Sequence, residues 1–179
     1  MRKPKRPLPT RAEVLRLLSY DPDTGIFTWL PRAPKPRDSF NKVFAHTEAG
    51  TIVLGYVRIA FGGMIHSAHR LAWLIMTGEW PDGEIDHKNT IKNDNRWGNL
   101  RKATHAQNTH NRAGRSRKGL PKGVATHHST PGRFVAQIKT PEGVQYLGIY
   151  GSPSEAHEAY RTAAVKYFGE FARFTMEVK

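Results

Sequence analysis

The period of the apolar positions changes along the chain, and the changes mark out its elements. Thr10-Arg11-Ala12-Glu13 has capping-box spacing, a hydroxyl followed three residues later by a carboxylate, and it precedes Val14, Leu15, Leu17 and Leu18. That combination predicts a short helix. Tyr20 to Gly25 is turn chemistry built on Asp, Pro and Gly. Ile26–Leu30 reads as a strand. The proline- and base-rich stretch from Pro31 to Asn41 reads as a loop. Gly55–Phe61 alternates apolar and polar residues, Gly62-Gly63 supplies a turn, and Met64–His66 is the return strand. Ala68–Met76 has helical spacing and should stop near Gly78, ahead of Pro81.

Beyond Pro81 the pattern becomes polar. Glu84–His87 can form a short strand, residues 88–98 are turn-rich, and Asn99–Ala103 can be the partner strand. Thr104-x-x-Gln107 is a second capping box, so a helix should open there with Asn108 in its first turn. Strand, long loop, strand and helix would bring Asp86, His87, Asn99 and Asn108 to one place. After a basic stretch containing Arg112, Arg115, Arg117, Lys118 and Lys122, strand-like runs follow at Gly123–His127, Arg133–Lys139 and Val144–Tyr150, with turns at Pro131-Gly132 and Pro141-Glu142-Gly143. Ser152-Pro153-Ser154-Glu155 combines an N-cap, a proline at the first helical position and a glutamate. The helix it opens places Ala156, Ala159, Tyr160, Ala163, Ala164, Tyr167 and Phe168 on one stripe, with Gly169 as a stop. The small alanines let this helix lie close on a three-stranded sheet. The expected organisation is therefore α+β: a small N-terminal α/β region (1–81), a strand–strand–helix core (82–112), a basic linker (113–121) and a C-terminal sheet plus helix (122–179).

Charge narrows the function. The 179 residues carry 28 Lys+Arg against 15 Asp+Glu, a net +13. A surplus of this size is an electrostatic footprint for a polyanion and says nothing about fold. There is no cysteine, which excludes thiolate metal sites and disulfides within this sequence and fits a reducing, cytoplasmic setting. No apolar run approaches the ~18–20 residues of a membrane span. Met1–Arg6 is basic with no apolar stretch behind it, so it reads as a solvated arm able to touch phosphate and not as a signal peptide.

One acid, one imidazole and two amides at the spacing of Asp86, His87, Asn99 and Asn108 can build a site with a single metal ion and a general base. On so basic a chain the matching substrate is a nucleic-acid phosphodiester. His69-Arg70-Leu71-Ala72, Ile85-Asp86-His87, Asn93-Asp94-Asn95-Arg96 with Asn99-Leu100, and Ala103-Thr104 through Asn108 recur in order at the gaps of the HNH homing-endonuclease family; residues 69–111 resemble it. Lys122-Gly123-Val124, Phe134–Ile138, Tyr146–Tyr150 and the Ser154–Phe168 helix are similar to an AP2 DNA-binding domain, the module of plant ethylene-response factors. The pairing resembles a phage- or intron-borne mobile-element nuclease, and the N-terminal part resembles that of phage HNH proteins. The third signature position here is Asn108, where many members have histidine.

The resemblance implies a ββα-metal core and a role for each residue. His87 is the expected general base, since an imidazole near pKa ~6.5 can take a proton from water at neutral pH; the plainer reading is a surface turn histidine. Asp86 is the expected anionic metal ligand, against the reading of a strand-end acid paired with Arg101. Asn99 is expected to accept a hydrogen bond from His87 and fix its tautomer, against a turn asparagine bonding its own backbone. Asn108 is the expected second ligand; with the motif shifted, His105 or His110 would take its place. Amide and carboxylate oxygens suit Mg²⁺ or Mn²⁺, one per active site, and suit Zn²⁺ poorly. Asn93 and Asn95 read as loop-shaping, and His69 as a partly buried helix histidine or a phosphate contact. Trp73, Trp80 and Trp97 read as core. AP2-type strands enter the major groove, so Arg133, Gln137, Lys139 and Gln145 are candidate base readers, with Arg112, Arg115, Arg117, Lys118 and Lys122 on phosphates. The expected partner is double-stranded DNA, with no membrane and no small-molecule cofactor. A non-catalytic DNA-binding regulator and an RNA-binding protein are the competing classes, and neither needs the four-residue set.

Overall fold

The computed structural model describes residues 7–33, 39–110 and 119–173. The chain divides into two compact units, Met1–Lys102 and Ala103–Lys179, so the division falls within the stretch that the sequence reads as one nuclease core. Among the described residues no helix is long and apolar enough to cross a membrane.

In the first unit, helix α1 (Arg11–Leu15) opens on the expected capping box. The Glu13 amide donates to Thr10 Oγ1 at 3.2 Å and the Thr10 amide donates to Glu13 Oε2 at 2.7 Å. The helix is shorter than the apolar spacing suggests. Leu18 belongs instead to strand β1 (Leu18–Tyr20), paired antiparallel with β2 (Phe27–Trp29) in the register Leu18 to Trp29. A five-residue helix has almost no intrinsic persistence, and a strand buries Leu18 and Phe27 together more fully. A short helix α2 (Phe40–Val43) begins in the last two residues of the stretch read as loop and runs past it. Strand β3 (Thr51–Val53) is also unexpected, because all three residues are exposed and give no alternation signal. It pairs with β4 (Tyr56–Phe61), which pairs with β5 (Met64–Ser67). Helix α3 (Ala68–Thr77) ends as expected at Gly78, which is left-handed at φ 89°. Val14, Leu18, Phe27, Ile59, Leu71, Leu74, Ile85 and Leu100 form one core. Trp73 and Trp97 pack against it with ring centroids 5.2 Å apart, and Trp80 joins it. Strands β6 (Glu84–His87) and β7 (Leu100–Ala103) form a separate two-stranded sheet.

The second unit opens with helix α4 (His105–His110), capped by Thr104 and Gln107 as the spacing predicts. Strands β8 (Val124–Thr126), β9 (Phe134–Thr140) and β10 (Gly143–Tyr150) form an antiparallel sheet with β9 central. Helix α5 (Pro153–Phe168), N-capped by Ser152, buries Ala156, Tyr160, Ala163 and Ala164. Ile138 of β9 completes that core. Gly123 at φ 82° sits where any Cβ would strike the Tyr160 ring, so glycine permits both the turn and the close approach.

The turn between β1 and β2 leans on the 88–99 loop. Gly25 has φ 76°, and a Cβ there would clash with the backbone of Asn95 and Arg96. The Trp97 amide donates to Pro22 O at 2.8 Å, and the Tyr20 hydroxyl donates to Asn95 O at 2.7 Å. Gly25→Ala combines a strained φ with a backbone collision, so it should destabilise the protein by about 2–4 kcal/mol and lower the melting temperature by roughly 10 °C or more. Calorimetry of the variant beside wild type checks this; a shift under a degree would refute the contact.

Candidate active site

Strand β6 ends on Asp86 and His87, which are 6% and 4% exposed. Both are burdened with more polarity than a short strand can hide, and each has found a partner. Arg101, across on β7, donates through Nε to Asp86 Oδ2 at 2.9 Å, with Nη2 at 2.8 Å from the same oxygen. The side chains are 10% and 7% exposed, so this is a buried ion pair. The plainer expectation for Asp86 is thus realised at Oδ2, and a cation held by Asp86 would stand close to that guanidinium.

His87 Nε2 lies 3.4 Å from Asn95 Oδ1. This is the place expected of Asn99, which does something different. Asn99 Oδ1 accepts from the Asn89 amide at 3.0 Å, and Asn99 Nδ2 donates to Asp94 O at 2.8 Å. The Lys88 amide donates to Asn99 O at 2.9 Å. Asn99 therefore clamps both limbs of the loop, and the loop delivers Asn95, 2% exposed, to the imidazole. This corrects the expected His87–Asn99 hydrogen bond. Asn93, Asn95 and Asn99 all stand in one polar stretch, so spacing had no means of saying which amide turns inward.

Burial pushes the His87 pKa below its ordinary value, while the Asn95 contact and the charges of Asp86 and Asp94 act the other way. His69, on the buried side of α3, stands edge-on to His87 with ring centroids 5.2 Å apart. Burial, reinforced by the charge on His87, pushes His69 down to about 3, so it is neutral. Its Nδ1 has no hydrogen-bond partner among the described residues. The Tyr56 ring sits 5.5 Å from His69 and 6.1 Å from His87. Lys92 Nζ and Arg58 Cζ lie 4.9 and 5.6 Å from the centre of that ring. Tyr56, Arg58 and Lys92 were missed in the sequence, although the alternation of β4 does put Tyr56 and Arg58 on the face away from Ile59.

Among the described residues no three His, Asp or Glu side chains gather as a metal cage would require. The donors available are hard oxygens, an Asp carboxylate and Asn amides. That set fits a lightly held Mg²⁺ or Mn²⁺ that keeps most of its waters better than it fits zinc.

In the second unit, Asn108 is partly exposed on α4 and its backbone N–H donates to Thr104 O at 3.0 Å. The alternative ligand His105 is exposed on the same helix. The register of β9 and β10 sorts the candidate base readers. Gln137 pairs with Tyr146 and Lys139 with Val144, on the open face of the sheet, and Arg133 is exposed just before β9. Gln145 pairs with Ile138, which is buried beneath α5. Paired residues share a face, so Gln145 points to the helix side and leaves the base-reading set. Lys122 is half-buried and pushed down to about 8 by burial, then by Arg173, and its carbonyl lies 3.0 Å from His157 Nδ1. Arg112, Arg115, Arg117 and Lys118 lie outside the described residues.

Residues 66–110 match the family model for HNH endonucleases. No curated protein matches the chain. The family match supports a nuclease acting on DNA and covers the β5–α4 stretch that holds Asp86, His87, Asn99 and Asn108.

Asp94 ties the loop together. Its carboxylate accepts from Asn89 Nδ2 at 2.6 Å and from Arg96 Nε at 2.8 Å. The Arg96 hydrogen bond is the main reason its pKa falls to about 2. A carboxylate lowered in the folded state stabilises above its unfolded pKa of ~3.9 and loses that contribution as pH falls toward 2. Asp94→Asn should therefore melt a few degrees below wild type at pH 7, with the gap closing between pH 4 and pH 2. Melting curves across that range test the point; a gap independent of pH would show that charge is not its source.

Proposed function

We propose that the chain is a metal-dependent DNA endonuclease of the homing type, with His87 as general base and one divalent cation per site. The observation that supports this most is the environment of His87: a buried imidazole beside an aspartate, with an amide oxygen on Nε2. An acceptor at Nε2 favours the tautomer whose proton sits there, which puts the basic lone pair on Nδ1. A base held below its ordinary pKa is already deprotonated at neutral pH and can take a proton from water.

When bound, Mg²⁺ or Mn²⁺ supplies Lewis-acid stabilisation of charge growing on the phosphate and on the leaving 3′ oxygen. Asp86 would hold it with a carboxylate oxygen, and Asn108, carried over from the resemblance, is the expected second oxygen donor. His87 removes the proton of the attacking water, and Asn95 keeps the imidazole from turning. Asn99 holds the loop that aims Asn95. Cleavage gives a 5′-phosphate and a 3′-hydroxyl. Arg101 offsets the charge of Asp86 and stands ready to face a phosphate. One such site per chain cuts one strand.

Binding is proposed to rest on the AP2-like sheet. Its open face presents Arg133, Gln137 and Lys139 with the exposed side chains of Val144 and Tyr146. Arg and Gln there have the donor patterns for guanine and adenine edges, and the thymine methyl suits Val144. The basic residues 112–118 would add phosphate contacts. The competing reading, a DNA-binding regulator without catalysis, needs this sheet and has no use for the His87 environment.

His87→Ala should lower Mg²⁺-dependent nicking of supercoiled plasmid by about 10²-fold or more and retain DNA binding in a gel-shift assay. EDTA should abolish nicking by wild type. Equal loss of binding and cleavage in the variant would make His87 structural. Tight binding by wild type with no cleavage in either metal, on DNA carrying the target, would favour the regulator.

A further inference from the structure

Strand β3 is an edge strand of three exposed residues, and the hairpin that leaves it carries the most exposed apolar side chain of the described residues. Ile52 is 63% exposed, Val53 48% and Leu54 88%. The register Val53 to Tyr56 leaves a two-residue turn, Leu54-Gly55, in which both residues have positive φ, 52° and 84°. Turns of this kind favour Asn-Gly or Gly-Gly. A leucine in the left-handed region is strained, and at 88% exposure Leu54 buries little in return. An unshielded apolar edge is also a self-association hazard that folded proteins usually blunt with charge. A strained, fully displayed leucine at this position is therefore understandable if something covers it in use.

The surroundings say what that something is. Tyr56, the residue that follows the turn, has Lys92 and Arg58 against its ring and stands 6.1 Å from the His87 ring. Lys92 Cδ lies 3.3 Å from where a Gly55 Cβ would be, so the lysine stem crosses the turn. Arg58 donates to the Ser67 hydroxyl, which holds it on the sheet. An exposed aliphatic tip on a turn crossed by the Lys92 stem, with Arg58 against the Tyr56 ring that follows it, on a chain of net charge +13, is complementary to a duplex, whose stacked bases are apolar and whose rims are phosphates. An apolar groove on a protein would match the tip and leave both cations without a counterpart.

We infer that the β3–β4 hairpin is a DNA-inserting wedge: Leu54 enters a base step from the minor groove next to the phosphate served by His87, and Lys92 and Arg58 hold the phosphates on either side. Apolar side chains inserted in this way partly unstack a step and kink or unwind the duplex. At the nuclease site the distortion would widen the groove and bring the scissile phosphate down to a base that is itself only 4% exposed. This deepens the nuclease reading, on which it rests for the choice of DNA at this face.

The wedge is testable without cleavage. Relaxed plasmid is closed by topoisomerase I in EDTA with protein present at equal occupancy for each variant, and the topoisomers are resolved after deproteinisation. Wild type should shift the linking number, Leu54→Asn should lose more than half of the shift, and Leu54→Met, which keeps an apolar tip, should retain it. Asparagine suits the left-handed turn, so the hairpin survives the change. An equal shift with Leu54→Asn, or no shift with wild type, overturns the wedge. So does light scattering that shows a wild-type dimer reduced to a monomer by Leu54→Asn, since a second copy would then be the occupant. Failure of Mg²⁺-dependent nicking would count against the nuclease reading alone and leave the EDTA result standing.

Discussion

Two hydrogen bonds from one side chain hold the site in order. Asn99 takes the amide of Asn89 on one limb of the 88–99 loop and gives to the carbonyl of Asp94 on the other. Without that bracket a polar, turn-rich stretch between two four-residue strands would have many conformations of similar energy. With it, Asp94 is placed to bind Asn89 and Arg96, and Asn95 is turned inward to His87. The Asn99 side chain is buried and its two bonds partly so, and leaving either unmade would carry a desolvation penalty. The chemistry attributed to His87 is thus supported at two removes, by an amide that never touches it.

A bracket fixes a loop only relative to its own strands, and the rest of the first unit fixes it in space. Tyr20, Pro22 and Gly25, all around the β1–β2 turn, meet the backbone of residues 95–97. Arg70 on α3 donates to the carbonyls of Pro81 and Gly83 and so anchors the approach to β6. The N-terminal region therefore reads as a cradle for the loop and not as an independent module. Its helices and small sheets contribute the core that makes contact at 2.7–3.1 Å rigid enough to matter.

The strongest local signals are legible in the sequence itself. Both capping boxes, the αL stop at Gly78 and the Ser152 cap state their structure within four residues, because each is a short-range hydrogen bond or a φ restriction. The stripe of Ala156, Tyr160, Ala163 and Ala164 was equally plain, since a helix on a sheet imposes one period. What escaped was set by tertiary context. Leu18 has the same apolar spacing in a helix or in β1, and only the partner Trp29 decides. Strand β3 lacks a buried face and so lacks a pattern. Asn95 and Asn99 exchange their expected roles because an asparagine is drawn to whichever backbone group the loop presents. Gln145 changed face because the register of β10 depends on a turn one residue longer or shorter, and a one-residue step reverses every side chain.

Charge and chemistry make separate demands on this chain, and the residues divide accordingly. Net charge of +13 supplies binding energy that weakens as salt replaces it and that does not depend on sequence. Three basic residues of the first unit are tethered: Arg101 to Asp86, Arg58 to Ser67, Lys88 to the Gly98 carbonyl at 2.8 Å. A tethered cation has lost its rotamer freedom before DNA arrives, so it positions a phosphate at less entropic cost than a free lysine would. An arginine that already has a carboxylate partner also gains less from a phosphate, because one interaction is exchanged for another. In the proposed reading, non-specific attraction belongs mainly to exposed basic residues such as Arg133 and Lys139, and geometry to the tethered ones. A nuclease of the proposed kind, which searches long DNA yet acts on one phosphodiester, gains from keeping those two jobs on different side chains.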